Sequence, residues 1–362
     1  TMKKEVIENG NAYKYGDANI GDTVEFKITM TIPDYQGSWL SDKLHYNIKD
    51  SLTDGLTLDV SSIKLEGTSI NDLFVTNKKC TSTNITTSTS GFTLDLYGED
   101  VYQYAGNTIA ITYQAKVNEK AKVNFDSDEN KATLKYSTVA SGTDMSDPMQ
   151  DITHHYTFGF DTLVNGSGSE KTTEITKYGV KTTTELDNKV ALDGAQFQLF
   201  DANGKQLYFT SAGEYTTETS GTYDYIVSKN NGQLTATGLD AGTYTLKESK
   251  APLGYALDKT TYTIVITPTY NELTGELKNY TVRVSGATGN SITFTHEKLD
   301  NGTINTTDNA ANADTFGINN TPLITLPETG GAGMIVLTVA AVILMAGFGT
   351  MFVSLRKRKQ VK

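Results

Sequence analysis

Val24-Glu25-Phe26-Lys27-Ile28-Thr29-Met30 alternates apolar and polar side chains with a period of two. Successive side chains of a strand point to opposite faces, so the run reads as a strand buried on one face. The same pattern returns in Thr108-Ile109-Ala110-Ile111-Thr112-Tyr113 and in Ala132-Thr133-Leu134-Lys135-Tyr136. Turn signals such as Asp54-Gly55 and Ser90-Gly91 lie between such runs. Several short strands of this kind, with no convincing amphipathic helix, predict a β-sandwich over residues 1–160. Residues 161–171 (DTLVNGSGSEK) read as a linker. A second β module follows at 172–299, with strand candidates at 195–200, 223–227, 242–248, 262–267, 280–284 and 291–295.

Composition narrows the function. The chain has 362 residues, 37% hydrophobic and 20% charged, with a net charge of −11 and one cysteine, Cys80. It is too apolar for a disordered chain, and a single thiol makes neither an internal disulfide nor a multi-cysteine metal site. Cys80, in a polar stretch with no assignable His partner, reads as a loop thiol. The acidic balance argues against nucleic acid as a partner. No phosphate-binding glycine loop, Ser/His/Asp set or paired-carboxylate motif is present, and neither enzymatic activity on an external substrate nor a cofactor is expected. Adjacent His154-His155, at the end of a module, read as a solvated pair rather than metal ligands.

The C-terminus points to a compartment. Residues 333–355 (GMIVLTVAAVILMAGFGTMFVSL) carry no charge. They would form roughly 34 Å of helix at ~1.5 Å per residue, enough to cross a bilayer. Residues 356–362 (RKRKQVK) are basic and predict a cytoplasmic tail, with everything before the span outside. Immediately upstream stands Leu326-Pro327-Glu328-Thr329-Gly330. This motif, an apolar span and a short basic tail in series resemble the sorting signal of Gram-positive surface proteins. The resemblance implies a sortase that cleaves between Thr329 and Gly330 and passes the Thr carboxyl to peptidoglycan or to a lysine of a neighbouring pilin. The span would then be a transient stop-transfer anchor. Pro327 biases Leu326 toward the extended backbone such a site requires. Residues 300–325, rich in Asn, Thr, Asp and Gly, read as a flexible wall-spanning linker. Thr1-Met2-Lys3-Lys4 opens no signal peptide, so the expectation is a fragment or mature piece.

Both β modules carry further resemblances. Residues 20–26 (IGDTVEF), 46–52 (YNIKDSL) and 55–57 (GLT) resemble the isopeptide-forming D2 domain of fimbrial subunits, an immunoglobulin-like fold. Residues 192–199 (LDGAQFQL) resemble the first hairpin of a Cna B-type, SpaA-like domain, and residues 244–255 (YTLKESKAPLGY) the E-box of Gram-positive pilins. The expected fold class is therefore all-β, with tandem immunoglobulin-like and Cna B-type sandwiches followed by a C-terminal transmembrane helix.

In these families a Lys amine attacks an Asn carboxamide, ammonia leaves, and a buried Asp or Glu serves as the acid. Such chemistry needs burial, which favours the neutral amine and the neutral carboxyl. Alternation tests that requirement. Met2, Lys4 and Val6 share a face; so do Tyr46, Ile48, Asp50 and Leu52, and again Asn130, Ala132, Leu134 and Tyr136. The expectation is a Lys4–Asn130 isopeptide bond with Asp50 as catalytic acid. In the second module the family spacing leads to Thr184 where the Lys belongs and to His296 where the Asn belongs, leaving only the E-box acid Glu248. This module is expected to lack the cross-link, with a Glu248–His296 hydrogen bond in its place; a shifted register would recruit Lys177 or Lys181, without a partner Asn.

Two functional readings remain open on sequence. One is a structural pilus backbone subunit polymerised and anchored by sortase. The other is a monomeric wall-anchored adhesin or stalk that binds host surface ligands.

Overall fold

The structure, a computed structural model, describes residues 1–37, 42–66, 85–161, 173–180, 189–216, 222–286, 289–309 and 315–323, together with the backbone of 68–69. The expected transmembrane segment, the LPETG motif, the basic tail, Cys80, Lys181 and Thr184 lie outside these residues. No helix among the described residues is long and apolar enough to cross a membrane.

The first module packs two six-stranded sheets face to face. One contains, in spatial order, Asn11–Tyr13, Met2–Glu8, Thr23–Thr31, Thr108–Val117, Leu56–Leu65 and Thr68–Ser69. The other contains Tyr15–Asp17, Met149–Tyr156, Asp128–Tyr136, His45–Leu52, Gly91–Tyr97 and Ile85–Ser88. The alternating run that begins at Val24 buries Val24, Phe26, Ile28 and Met30 and turns its polar residues outward, as the period-two pattern predicts. Ile109, Ile111, Tyr113, Ala115 and Val117 do the same on the neighbouring strand. The only described helix, Glu99–Tyr102, is a single short turn.

The second module is built on a seven-stranded sheet that includes Gln196–Phe200, Gly242–Lys250, Thr261–Tyr270, Leu277–Ser285 and Ser291–Lys298. A three-stranded sheet lies apart from it, with Ile175–Val180 between Lys189–Ala191 and Phe316–Asn320. Two expected boundaries are corrected. Residues 300–325 were expected as a flexible linker, yet Ile304–Asp308 extends the large sheet against Ser291–Lys298, and Phe316–Asn320 pairs in parallel with Ile175–Val180. Alternation explains the second of these strands, because Phe316, Ile318 and Asn320 all face inward. At the other boundary, Phe158–Phe160 pairs with Ala236–Leu239, so the chain enters the second module before residue 161.

The two modules share one hydrophobic core cluster, and Thr1–Thr321 forms a single compact unit. At their junction Tyr15 stacks on Tyr270 at 4.0 Å between centroids. The Tyr156 hydroxyl donates to the Gly275 carbonyl at 3.1 Å and accepts from the Leu277 amide at 2.9 Å.

Candidate functional site: a buried lysine, carboxyl and asparagine in each module

In the first module the structure brings Lys4, Asp50 and Asn130 into one buried cluster. Lys4 comes from Met2–Glu8 in one sheet, whereas Asp50 and Asn130 come from adjacent strands of the opposite sheet. The three residues are 0%, 2% and 0% exposed, so water cannot solvate a charge on any of them. Lys4 Nζ donates to Asp50 Oδ2 and to Tyr113 Oη. Asn130 Nδ2 donates to Tyr113 Oη at 2.9 Å. Burial pushes the Lys4 amine below its usual range, opposed by the nearby Asp50. Burial likewise pushes the Asp50 carboxyl up, opposed by Lys4. Both shifts favour a neutral amine beside a neutral acid.

Aromatic rings wall the site. Lys4 Nζ lies 5.5 Å from the Phe26 ring centroid and 5.1 Å from that of Tyr113. Tyr113 is held between Phe26, stacked at 5.5 Å, and Phe92, edge-on at 5.3 Å. Asp50 Oδ1 and Asn130 Oδ1 are both buried without a hydrogen-bond partner. Two orphaned oxygens in one dry site are costly while each stays unpaired, and a proton on the carboxyl is a donor that can relieve them. The backbone beside Asp50 is also tightly fitted. Gly91, at φ 144°, approaches so closely that a Cβ there would lie 2.2 Å from the Asp50 carbonyl oxygen.

The second module holds an equivalent cluster, for which the sequence reading had Glu248 and, only in a shifted register, Lys177, and missed the asparagine. Lys177, on Ile175–Val180, donates to Asn320 Oδ1 on the parallel neighbouring strand. Glu248, on the facing sheet, lies 3.1 Å from Lys177 Nζ through Oε1. Asn320 Nδ2 donates to Glu248 Oε1 and Oε2 at 3.1 and 3.0 Å. Lys177 and Asn320 are 0% and 1% exposed, and burial lowers the Lys177 amine, opposed by Glu248. Lys177 Nζ also sits 5.5 Å from the Phe197 ring centroid. The E-box thus supplies both the carboxyl and a packing contact: a Cβ at Gly179, two residues beyond Lys177, would lie 2.5 Å from the Tyr255 ring.

This arrangement corrects the reading of the second module. His296 does not meet Glu248; its Nε2 lies 2.5 Å from Glu174 Oε1 and its Nδ1 2.9 Å from Thr306 Oγ1. The asparagine facing Lys177 is Asn320, on a strand beyond the predicted module end. Period-two alternation in Phe316-Gly317-Ile318-Asn319-Asn320 was the available signal, as it was for Ile175 and Lys177. His155 is also corrected: it is 1% exposed rather than solvated.

Comparison with known proteins agrees with this architecture. Residues 175–281 match the SpaA family, described as a prealbumin-like fold domain, and residues 318–362 match the LPXTG cell wall anchor motif. The chain is 25% identical over 289 residues to the trypsin-resistant surface T6 protein of Streptococcus pyogenes serotype M6, covering 77% of this chain. It spans about half the length of that curated relative, 46%. Among solved structures it resembles the T6 backbone pilin of serotype M6 Streptococcus pyogenes, with a TM-score of 0.53 at 18% identity over 89% of this chain and 70% of that one. It also resembles the group B streptococcus pilus 2b backbone protein, with a TM-score of 0.52 at 22% identity over 90% and 99% of the two chains. The tandem β-sandwiches and the anchor motif define a peptidoglycan-anchored cell-surface protein of the Gram-positive kind. More particularly, its fold is the one found in pilus backbone proteins.

Proposed function

We propose that this chain is a structural backbone pilin subunit, joined by sortase through Thr329 to a neighbouring subunit or to peptidoglycan. In this reading each module is locked by an autocatalytic Lys–Asn isopeptide bond, Lys4–Asn130 in the first and Lys177–Asn320 in the second. The observation that carries it is the repeated cluster of a fully buried lysine, carboxyl and asparagine. A buried lysine and carboxylate with no further role would be a poor source of stability, since desolvation offsets their attraction. The same groups, buried and in contact, are arranged for amide exchange.

The chemistry is balanced within the cluster. The neutral Lys amine attacks the Asn Cγ, an N–C bond forms, the Cγ–Nδ2 bond breaks, and the amine proton ends on the departing ammonia. The Asp50 carboxyl, which burial pushes toward its protonated form, stabilises the developing oxyanion in the first cluster, and Glu248 lies against both reacting nitrogens in the second. Fixed proximity replaces the entropy of bringing the two groups together.

The two bonds would do different mechanical work. Lys4–Asn130 would tie one sheet to the other. Lys177–Asn320 would tie two strands near the opposite ends of the second module, so tension along the chain would bypass the fold between them. A stalk subunit benefits from both, and neither depends on redox conditions. The polymer reading is tested on denaturing gels of wall extracts. A ladder of high-molecular-weight species is expected, and a single monomer band would contradict it.

A further inference from the structure

Tyr113 occupies a place in the first cluster that has no counterpart in the second among the described residues. Its Oη accepts from Lys4 Nζ, the attacking nitrogen, and from Asn130 Nδ2, the leaving nitrogen. In the second cluster the carboxyl spans both nitrogens by itself, since Glu248 contacts Lys177 Nζ and Asn320 Nδ2. Asp50 is one methylene shorter than a glutamate, and in the first cluster the amide nitrogen donates to the tyrosine instead.

We infer that Tyr113 is a catalytic proton relay for the Lys4–Asn130 bond, passing the proton that Lys4 loses to the nitrogen that Asn130 releases. The inference rests on the isopeptide reading above. As the Nζ–Cγ bond forms and the Cγ–Nδ2 bond breaks, Oη takes a proton from Nζ while its own goes to Nδ2. The phenol is regenerated and ammonia leaves. Burial holds the Tyr113 hydroxyl well above its usual range, so it stays protonated and relays without becoming a phenolate. The flanking Phe26 and Phe92 rings fix its orientation.

The test is a time course on the full chain made by cell-free translation, quenched in acid and digested. The branched peptides joining Lys4 to Asn130 and Lys177 to Asn320 are quantified by mass spectrometry. Tyr113→Phe is expected to slow the first bond by about 100-fold, within the usual range for proton transfer by a positioned group. The second bond, forming at the wild-type rate in the same molecules, reports that the variant folds. Tyr46→Phe removes a different buried hydroxyl of the same core, one that bonds the Thr31 carbonyl, and is expected to leave both rates unchanged. Formation of the first bond in Tyr113→Phe at the wild-type rate overturns the relay alone. Equal slowing in Tyr46→Phe and Tyr113→Phe also overturns it, by making the effect a general one of core packing. Absence of the Lys4–Asn130 peptide from the wild-type chain overturns the underlying reading as well.

Discussion

Lys177 donates to Asn320 across 143 residues of sequence, from one parallel strand to its immediate neighbour. The pair closes nearly the whole second module between two adjacent side chains, with Glu248 against both nitrogens.

A covalent link at this position constrains the unfolded chain as a long-loop disulfide does, by about 5 kcal/mol for a loop of this size. Asn320→Ala is therefore expected to lower the melting temperature of the second module markedly. Its intact mass should show one fewer ammonia lost than the wild-type protein. An unchanged melting profile in calorimetry would contradict this role for Asn320.

Glu248→Ala leaves Lys177 and Asn320 in place and removes the acid. The expected product is a chain cross-linked at Lys4–Asn130 only. Peptide mapping checks this directly, and a Lys177–Asn320 branched peptide from that variant would show that the carboxyl is dispensable.

His296 gives a contrasting prediction. It is buried, stacks on Tyr280 at 4.5 Å and bonds Glu174 and Thr306. His296→Leu leaves Glu174 Oε1 without its partner while Oε2 keeps the Asp161 amide, which should cost about 2 kcal/mol. Both cross-links should nevertheless form, because neither cluster includes it. Chemical denaturation measures the first effect and peptide mapping the second.

His155 carries a pH dependence of definite sign. Burial pushes its imidazole down to about 4, against the opposing pull of Asp17, Asp128 and Asp22. The unfolded chain, with an ordinary histidine, binds a proton first as pH falls. The stability tied to the neutral ring is therefore complete above about pH 6.5 and is lost as pH drops toward 4, by about 3 kcal/mol. Both ring nitrogens lack hydrogen-bond partners, so His155→Leu should retain stability at pH 7 and flatten the acid limb of a melting-temperature profile.

Asp240 titrates in the opposite direction. Burial, then its hydrogen bond with Asp17, pushes its carboxyl up to about 9 at the junction between modules. The folded protein holds this proton where the unfolded chain has released it, so stability declines as pH rises from about 4 to 9. Asp240→Asn keeps a donor toward Asp17 and should raise the melting temperature at pH 8. A lower one would contradict the shared proton.

Period-two alternation made most of the fold and the first cluster legible in the sequence. It placed Lys4, Asp50 and Asn130 on apolar stripes, and the structure buries all three together. Tyr113 lay on such a stripe too, but a tyrosine among apolar residues is as compatible with plain core packing. The second cluster was lost to a spacing rule. Counting back from Gly194 led to Thr184, whereas the strand that carries the lysine lies earlier in the chain, at Ile175–Val180. Its partner strand was hidden because Asn- and Thr-rich sequence reads as a tether. Parallel pairing between the two ends of a module leaves no local turn signal, so Phe316–Asn320 could be recognised only by its own short alternation.

The most direct measurement is the intact mass of the full chain under denaturing conditions. Two internal isopeptide bonds predict a mass below the sequence value by two molecules of ammonia, with branched peptides joining Lys4 to Asn130 and Lys177 to Asn320 after digestion. A mass equal to the sequence value, with all four residues recovered in linear peptides, would contradict it.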